Sequence, residues 1–257
     1  QASDAGELLL VAPERTPGSI VVLSLADPLH PATITRYSSA STHPGVHTAE
    51  LARVDGTLYA FLSIDPLGSE TPAKLVIVSL ADPANPVEVF AQTMGDPFVH
   101  DVFVRDGILF TALWNEGLSI WDIGGAEMGG SPSAPVPLGN VATVGGHAHN
   151  VWWYHDESGG KRFAFVGEEG PGGVAGFSSS GDIHVVDVSD FANPAEVAFY
   201  RVPGAGTHNF SVDEASGILY AAYYEGGVRA IDVTGDLAAC TEARQAPDGR
   251  CDYRLMG

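Results

Sequence analysis

Short runs of β-branched and aromatic residues, many alternating with polar ones, recur along the whole chain and are separated by Gly, Pro, Asp and Asn. That spacing predicts strands and turns. The segments IVVLSLADPLHPATI (20–34), LVIVSLADPANPVEV (75–89) and IHVVDVSDFANPAEV (183–197) share one pattern. LSIWDIGG (118–125) and VRAIDVTGD (228–236) keep its strand without the Pro-rich tail. In the complete copies the strand ends in a turn such as Asp82-Pro83-Ala84-Asn85-Pro86. Asp and Asn fold back on their own backbone there, and Pro fixes φ. A second short strand follows: ATITRY (32–37), VEVFAQ (87–92) and AEVAFY (195–200).

Two more strands precede each copy. One reads LLLVAPE (8–14), LYAFLSI (58–64), LFTALWN (109–115), RFAFVGE (162–168) and LYAAYYE (219–225). Before it comes HTAELARV (47–54), HDVFVRDG (100–107), HNVWWYHD (149–156) or HNFSVDEA (208–215), with no counterpart ahead of residue 8. No helical periodicity competes. The repeat units run over about 8–46, 47–99, 100–146, 147–207 and 208–257. Four short antiparallel strands per unit are the pattern of a β-propeller blade. The expected fold is therefore all-β: a β-propeller of four-stranded antiparallel blades, about five of them visible, in one domain spanning 1–257. Either DYRLMG (252–257) closes a five-bladed ring, or the chain is part of a six- or seven-bladed one. The stretches 124–137 and 170–181 are expected to be surface loops.

In these repeats the chain resembles the LVIVD repeat, a propeller-forming unit known mostly from exported bacterial and archaeal proteins. Residues 75–79 read LVIVS, and the resemblance extends from about residue 8 to 236. It implies a propeller, and it brings no agreed catalytic set.

The repeat also places the histidines. His47, His100, His149 and His208 each head the first strand of a unit. In a propeller that strand lines the central channel, so the four imidazoles are expected to meet near one mouth. Acids end the next strand: Asp65, Glu116, Glu168 with Glu169, and Glu225. Because a hairpin joins the two strands, histidine and carboxylate should share one face. Two readings follow. The histidines hold a transition metal such as zinc, copper, iron or nickel, since calcium prefers oxygen alone; or they tie neighbouring blades together by hydrogen bonds, with the acids as partners. His147, expected on the same strand face as His149, and His43 are additions outside the repeat. His184 is expected to face solvent, His30 to sit in a turn and His155 to end its strand. Trp114 and Trp121 read as packing between blades, and one of Trp152 and Trp153 should be exposed.

Composition narrows the function. Of 257 residues, 45% are hydrophobic and 17% charged, which excludes disorder. The formal charge of −20 repels phosphate backbones, so no nucleic-acid partner is expected. No apolar run approaches the roughly 18 residues that span a bilayer. The chain opens on Gln1, as a processed or trimmed product would. Cys240 and Cys251 lie in a Pro/Gly/Asp-containing segment and are expected to form a disulfide, which implies an oxidising, extracellular or periplasmic setting. No GxSxG, HExxH or P-loop motif is present. GPGGVAGFSSSG (170–181) precedes a strand, so it lacks the helix N-terminus of a phosphate cradle.

The first functional expectation is an exported, non-catalytic propeller. It would bind a protein partner, or serve as an accessory subunit of a cell-surface or membrane-associated assembly, through an apolar patch near Val174, Phe177 or Trp152. The alternative is a metalloenzyme, oxidase or hydrolase, with its metal on the four histidines and Glu116 or Glu168 as general base. Sugar or small-molecule binding at the channel mouth is a third.

Overall fold

β-Branched and aromatic side chains suit a pleated surface, and in the computed structural model each predicted run of them forms a strand. The structure describes residues 1–3, 5–68, 71–170 and 180–253. The first sheet holds β1 (Leu8–Val11), β2 (Ile20–Ser24) and β3 (Ala32–Tyr37). The second holds β4 (Val46–Val54), β5 (Thr57–Ile64), β6 (Lys74–Ser79) and β7 (Val87–Thr93). The third holds β8 (Asp101–Arg105), β9 (Ile108–Ala112), β10 (Leu118–Asp122) and β11 (Val136–Val141). The fourth holds β12 (Ala148–Trp153), β13 (Phe163–Glu168), β14 (Ile183–Asp187) and β15 (Ala195–Tyr200), and the fifth β16 (Phe210–Asp213), β17 (Ile218–Ala222) and β18 (Val228–Asp232). Within each of these sheets the strands lie side by side in chain order.

The turns follow from the sequence. Asp82 Oδ1 accepts the Ala84 N–H at 3.0 Å and its Oδ2 accepts Asn85 Nδ2 at 2.8 Å; Asp190 does the same with Ala192 and Asn193 at 3.0 and 2.8 Å. In the first unit His30 Nδ1 takes the place of the asparagine amide, 2.9 Å from Asp27 Oδ2. The next strand then enters through a bulge at one repeat position: between Val22 and Leu23, Ile77 and Val78, and Val185 and Val186. The hairpins β4–β5 and β8–β9 turn on Asp-Gly pairs with positive φ, 48° and 77° at Asp55-Gly56 and 50° and 71° at Asp106-Gly107. A Cβ on Gly107 would stand 2.6 Å from the Gly125 nitrogen, so glycine is required there twice over.

Three features depart from expectation. Of the stretch 124–137, read as loop, residues 136 and 137 begin β11. The first sheet has a vestige of the missing strand, because Ala2 bridges Leu9 and the Leu10 N–H donates to Gln1 O at 2.8 Å. Among the described residues the C-terminal stretch pairs with the fourth sheet: β19 (Cys251–Asp252) runs parallel to β15, Ala198 opposite Cys251. Cys240 and Cys251 are joined in a disulfide, as expected.

The chain forms two compact units, Gln1–Trp114 with Ile120–Leu138, and Asn115–Ser119 with Gly139–Gly257. In the first, alternate residues of the second sheet bury toward opposite sides. Leu58, Ala60, Leu62, Val76 and Val78 pack with Leu8, Leu10, Ile20 and Val22 of the first sheet, whereas Phe61, Leu75 and Ile77 pack with Val102, Val104 and Leu109 of the third. In the second unit Phe163, Phe165 and Val185 pack with Phe210, Leu219 and Ala221. Period-2 alternation thus makes the second sheet a wall between two cores. Each fully buried Leu or Phe contributes about 1.5–3 kcal/mol to that stacking.

Candidate functional site at the histidine-headed strands

His47 and His149 are placed by the same device. β4 pairs Val46 with Ile64 and Thr48 with Ser63, so His47 is the extra residue of a bulge. β12 pairs Ala148 with Glu168 and Asn150 with Gly167, so His149 is too. A bulge re-aims its side chain away from the regular alternation. His100 and His208 lie just before β8 and β16, their N–H groups donating to Ala112 O at 2.9 Å and Ala222 O at 2.8 Å. Histidines of consecutive sheets meet: the rings of His47 and His100 are 4.2 Å apart in the first unit, and those of His149 and His208 are 4.4 Å apart in the second.

In the first unit His47 stands between two carboxylates. Its Nδ1 is 3.1 Å from Asp65 Oδ2 and 3.4 Å from Glu14 Oε1. Asp65 follows β5 of the same sheet; Glu14 follows β1 of the preceding one. The bond to Asp65 outweighs partial burial and raises the His47 pKa, with Glu14 and Asp101 adding to the effect. His100 is buried, stacks on Trp114 at 5.2 Å and meets the His47 ring at an interplanar angle of 72°. Farther along β4, burial pushes the Glu50 carboxyl up to about 8.

The second unit repeats the theme with other partners. His149, 2% exposed, has Nε2 3.4 Å from Glu169 Oε2, and Glu169 also accepts the Tyr224 hydroxyl. The Tyr224 ring lies 5.5 Å from His208. Glu168 points to the other side of the strand. Its Oε2 accepts the Asp182 N–H at 3.1 Å and stands 3.4 Å from His184 Nε2. Of the expected acids, Glu116 and Glu225 are exposed, Glu225 within a short 3-10 turn, Tyr224–Gly226.

His184 corrects the sequence reading: it is fully buried, not solvent-facing. The fourth sheet is covered on both faces, so strand parity gave no warning. Its Nδ1 is 2.9 Å from Glu196 Oε1, which also meets Arg250, and Glu196 Oε2 accepts the Val144 N–H at 2.9 Å. Burial opposes charge on His184, yet the two carboxylates hold its pKa up at about 9. His147 lies outside the strand, preceding β12 with a left-handed φ of 55°. Sequence reasoning missed Glu14, although the repeat held the signal, because LLLVAPE sets Glu14 near the place of Asp65. Neither Trp152 nor Trp153 is fully exposed: Trp153 is buried, and Trp152 is half-buried with Nε1 donating to Glu214 at 3.0 Å. Val174 and Phe177 lie outside the described residues. A cleft of about 520 Å³ in the second unit is lined by Tyr154, Asp156, Arg162, Glu214 and Asp236, at the strand ends remote from His149.

No helix among the described residues is long and apolar enough to cross a membrane. No curated protein matches the chain. Among 275 solved chains that do, the computationally designed Ika8 protein aligns with a TM-score of 0.57 at 9% identity, over 87% of this chain. That is a likeness of fold, and this chain spans 56% of the designed one. The model of the LVIVD repeat matches residues 98–143, which contain the third sheet, and 178–202, which contain β14 and β15. Two segments of the chain thus match the LVIVD repeat.

Proposed function

We propose that the five sheets are blades of one propeller domain, and that the chain is an exported, non-catalytic module that works by protein association. One observation carries this reading. In the second sheet the face made by Phe61, Leu75 and Ile77 is buried to completion. In the fifth sheet the equivalent positions are Tyr220, Val228 and Ala230, all exposed, with Val228 at 79% and Tyr220 at 44%. A sheet face with this alternation is built to be covered.

The occupant is the opposite kind of face on a second copy of the chain. Where the first and second sheets pack, residues of one parity meet those of the other, and the first sheet carries its unmatched parity outward on Leu9, Val11, Val21 and Leu23, with Val11 47% exposed. Such a contact is heterologous, joining the last sheet of one copy to the first of the next. The disulfide fits a setting outside the cytoplasm.

Light scattering on the purified chain should show association that Val228→Asp and Val11→Asp each weaken, and mixing the two variants should restore a pairwise complex. A monomer at every concentration, or variants that associate as the parent does, would overturn the proposal. The second reading, a metal-dependent enzyme, is favoured by the cluster of Glu14, His47 and Asp65, whose ligand atoms all lie within 4.8 Å of one another.

A further inference from the structure

We infer that Glu14, His47 and Asp65 form a zinc-binding site. The inference stands on the first unit alone and holds whether or not the chain associates. The three residues come from two adjacent sheets: Glu14 from the end of β1, and His47 and Asp65 from the bulge in β4 and the end of β5. Together they supply one imidazole nitrogen and two carboxylate oxygens, a donor set that suits zinc and leaves a fourth position for water. Calcium, which takes six to eight oxygens, is a poor match for a nitrogen donor.

The distances fit. Zinc at about 2.0–2.1 Å from each donor of a tetrahedron places the donors about 3.3 Å apart. The separations from His47 Nδ1 are 3.1 Å to Asp65 and 3.4 Å to Glu14. The site is also reachable, since the His47 and Asp65 side chains are each 22% exposed and Glu14 is 65% exposed. Access alone does not hold an imidazole in position. The buried ring of His100, packed edge-on at 4.2 Å and itself stacked on Trp114, sets the plane of the His47 ring. The bulge holds the backbone of His47 where Nδ1 faces both acids. Asp101 is close enough to act on His47 electrostatically and adds negative potential that favours a cation.

The same geometry would serve an imidazolium bridging two carboxylates, and the experiment separates the two. Tag-free protein, stripped with chelator and dialysed, is titrated with Zn²⁺ by calorimetry and with Co²⁺ by visible absorption. The expected result is one ion per chain and an intense cobalt d–d band typical of four-coordination. His47→Ala and Asp65→Asn should each weaken zinc binding by at least roughly 100-fold, beyond the 10- to 100-fold usual for residues that only support a ligand. Glu14→Gln, at the exposed ligand, should weaken binding without altering the circular dichroism or melting of the metal-free protein. His30→Ala, on the surface, should change nothing. If folded parent protein takes up no zinc at millimolar concentration, or if the His47 and Asp65 variants bind it as the parent does, the site is an ion-pair cluster and the inference is wrong. Light scattering on the same samples keeps this result distinct from the association proposal.

Discussion

His184 Nδ1 lies 2.9 Å from Glu196 Oε1 inside the fourth sheet, with 0% and 5% of the two side chains exposed. This pair sits across the bulge that separates Val185 from Val186, and Arg250 and the Val144 N–H complete the carboxylate's partners. A buried ion pair broken on one side leaves an uncompensated charge.

Replacing Glu196 with Ala should therefore cost about 3–5 kcal/mol in urea unfolding at pH 6. The pH dependence has a definite sign. His184 is raised from 6.5 to about 9, so its contribution is complete below pH 6.5 and is lost as the pH climbs through 9. Glu196 is shifted downward despite burial, because His184 favours its ionised form, so its contribution is lost only on acidification. The stability advantage of the parent over His184→Leu should shrink between pH 6.5 and 9 by an amount on the order of 3 kcal/mol. A difference that stays flat across that range would exclude the charged pair.

Glu50 makes the opposite kind of prediction, because burial raises its pKa from 4.5 to about 8. Between those values the unfolded chain is ionised at this residue and the folded chain is protonated, so folding loses free energy as the pH rises. Glu50→Gln should stabilise the protein by about 1–3 kcal/mol at pH 7.5 and by nothing measurable at pH 4. Unfolding curves at the two pH values decide it.

Asp122 anchors the start of the long connection to β11. Its carboxylate, fully buried, accepts the N–H groups of Gly124, Gly125, Ala126, Met128 and Gly130 at 2.8–3.1 Å. Burial alone would raise its pKa, but the N–H groups of Ala126, Gly124, Gly130 and Met128 hold it at about 2. Asp122→Ala should cost at least about 3 kcal/mol, since several charge-assisted bonds are lost together. Limited proteolysis should then cut between 124 and 130, where the parent resists.

The disulfide between Cys240 and Cys251 closes a loop whose ends are 11 residues apart in sequence. The double Cys→Ser variant should lose up to about 3 kcal/mol by the chain-entropy argument. Because Cys251 begins β19, hydrogen exchange at Asp252 and Tyr253 should rise more than at β14. Uniform exchange changes would count against local tethering.

Much of the fold can be read from the order of residues. Strand alternation, the Asp-Pro turns, the Asp-Gly hairpins and the place of the four histidines are local properties, each specified within a few residues by backbone sterics and side-chain hydrogen bonding. β11 was harder to see, because VPLGNV carries a proline and a glycine where strands rarely have them.

Which acid meets which histidine is a different kind of fact. Glu168 and Glu169 are adjacent in sequence, yet one faces His184 and the other His149, because successive residues of a strand point to opposite sides. Glu14 reaches His47 from the preceding sheet, and β19 leaves its own repeat unit to pair with β15. By itself the sequence determined the repeating strands and the histidine that heads them. Only the packing of one sheet on another decided the partners of those histidines, since that depends on which faces are covered and how far apart the strand ends stand.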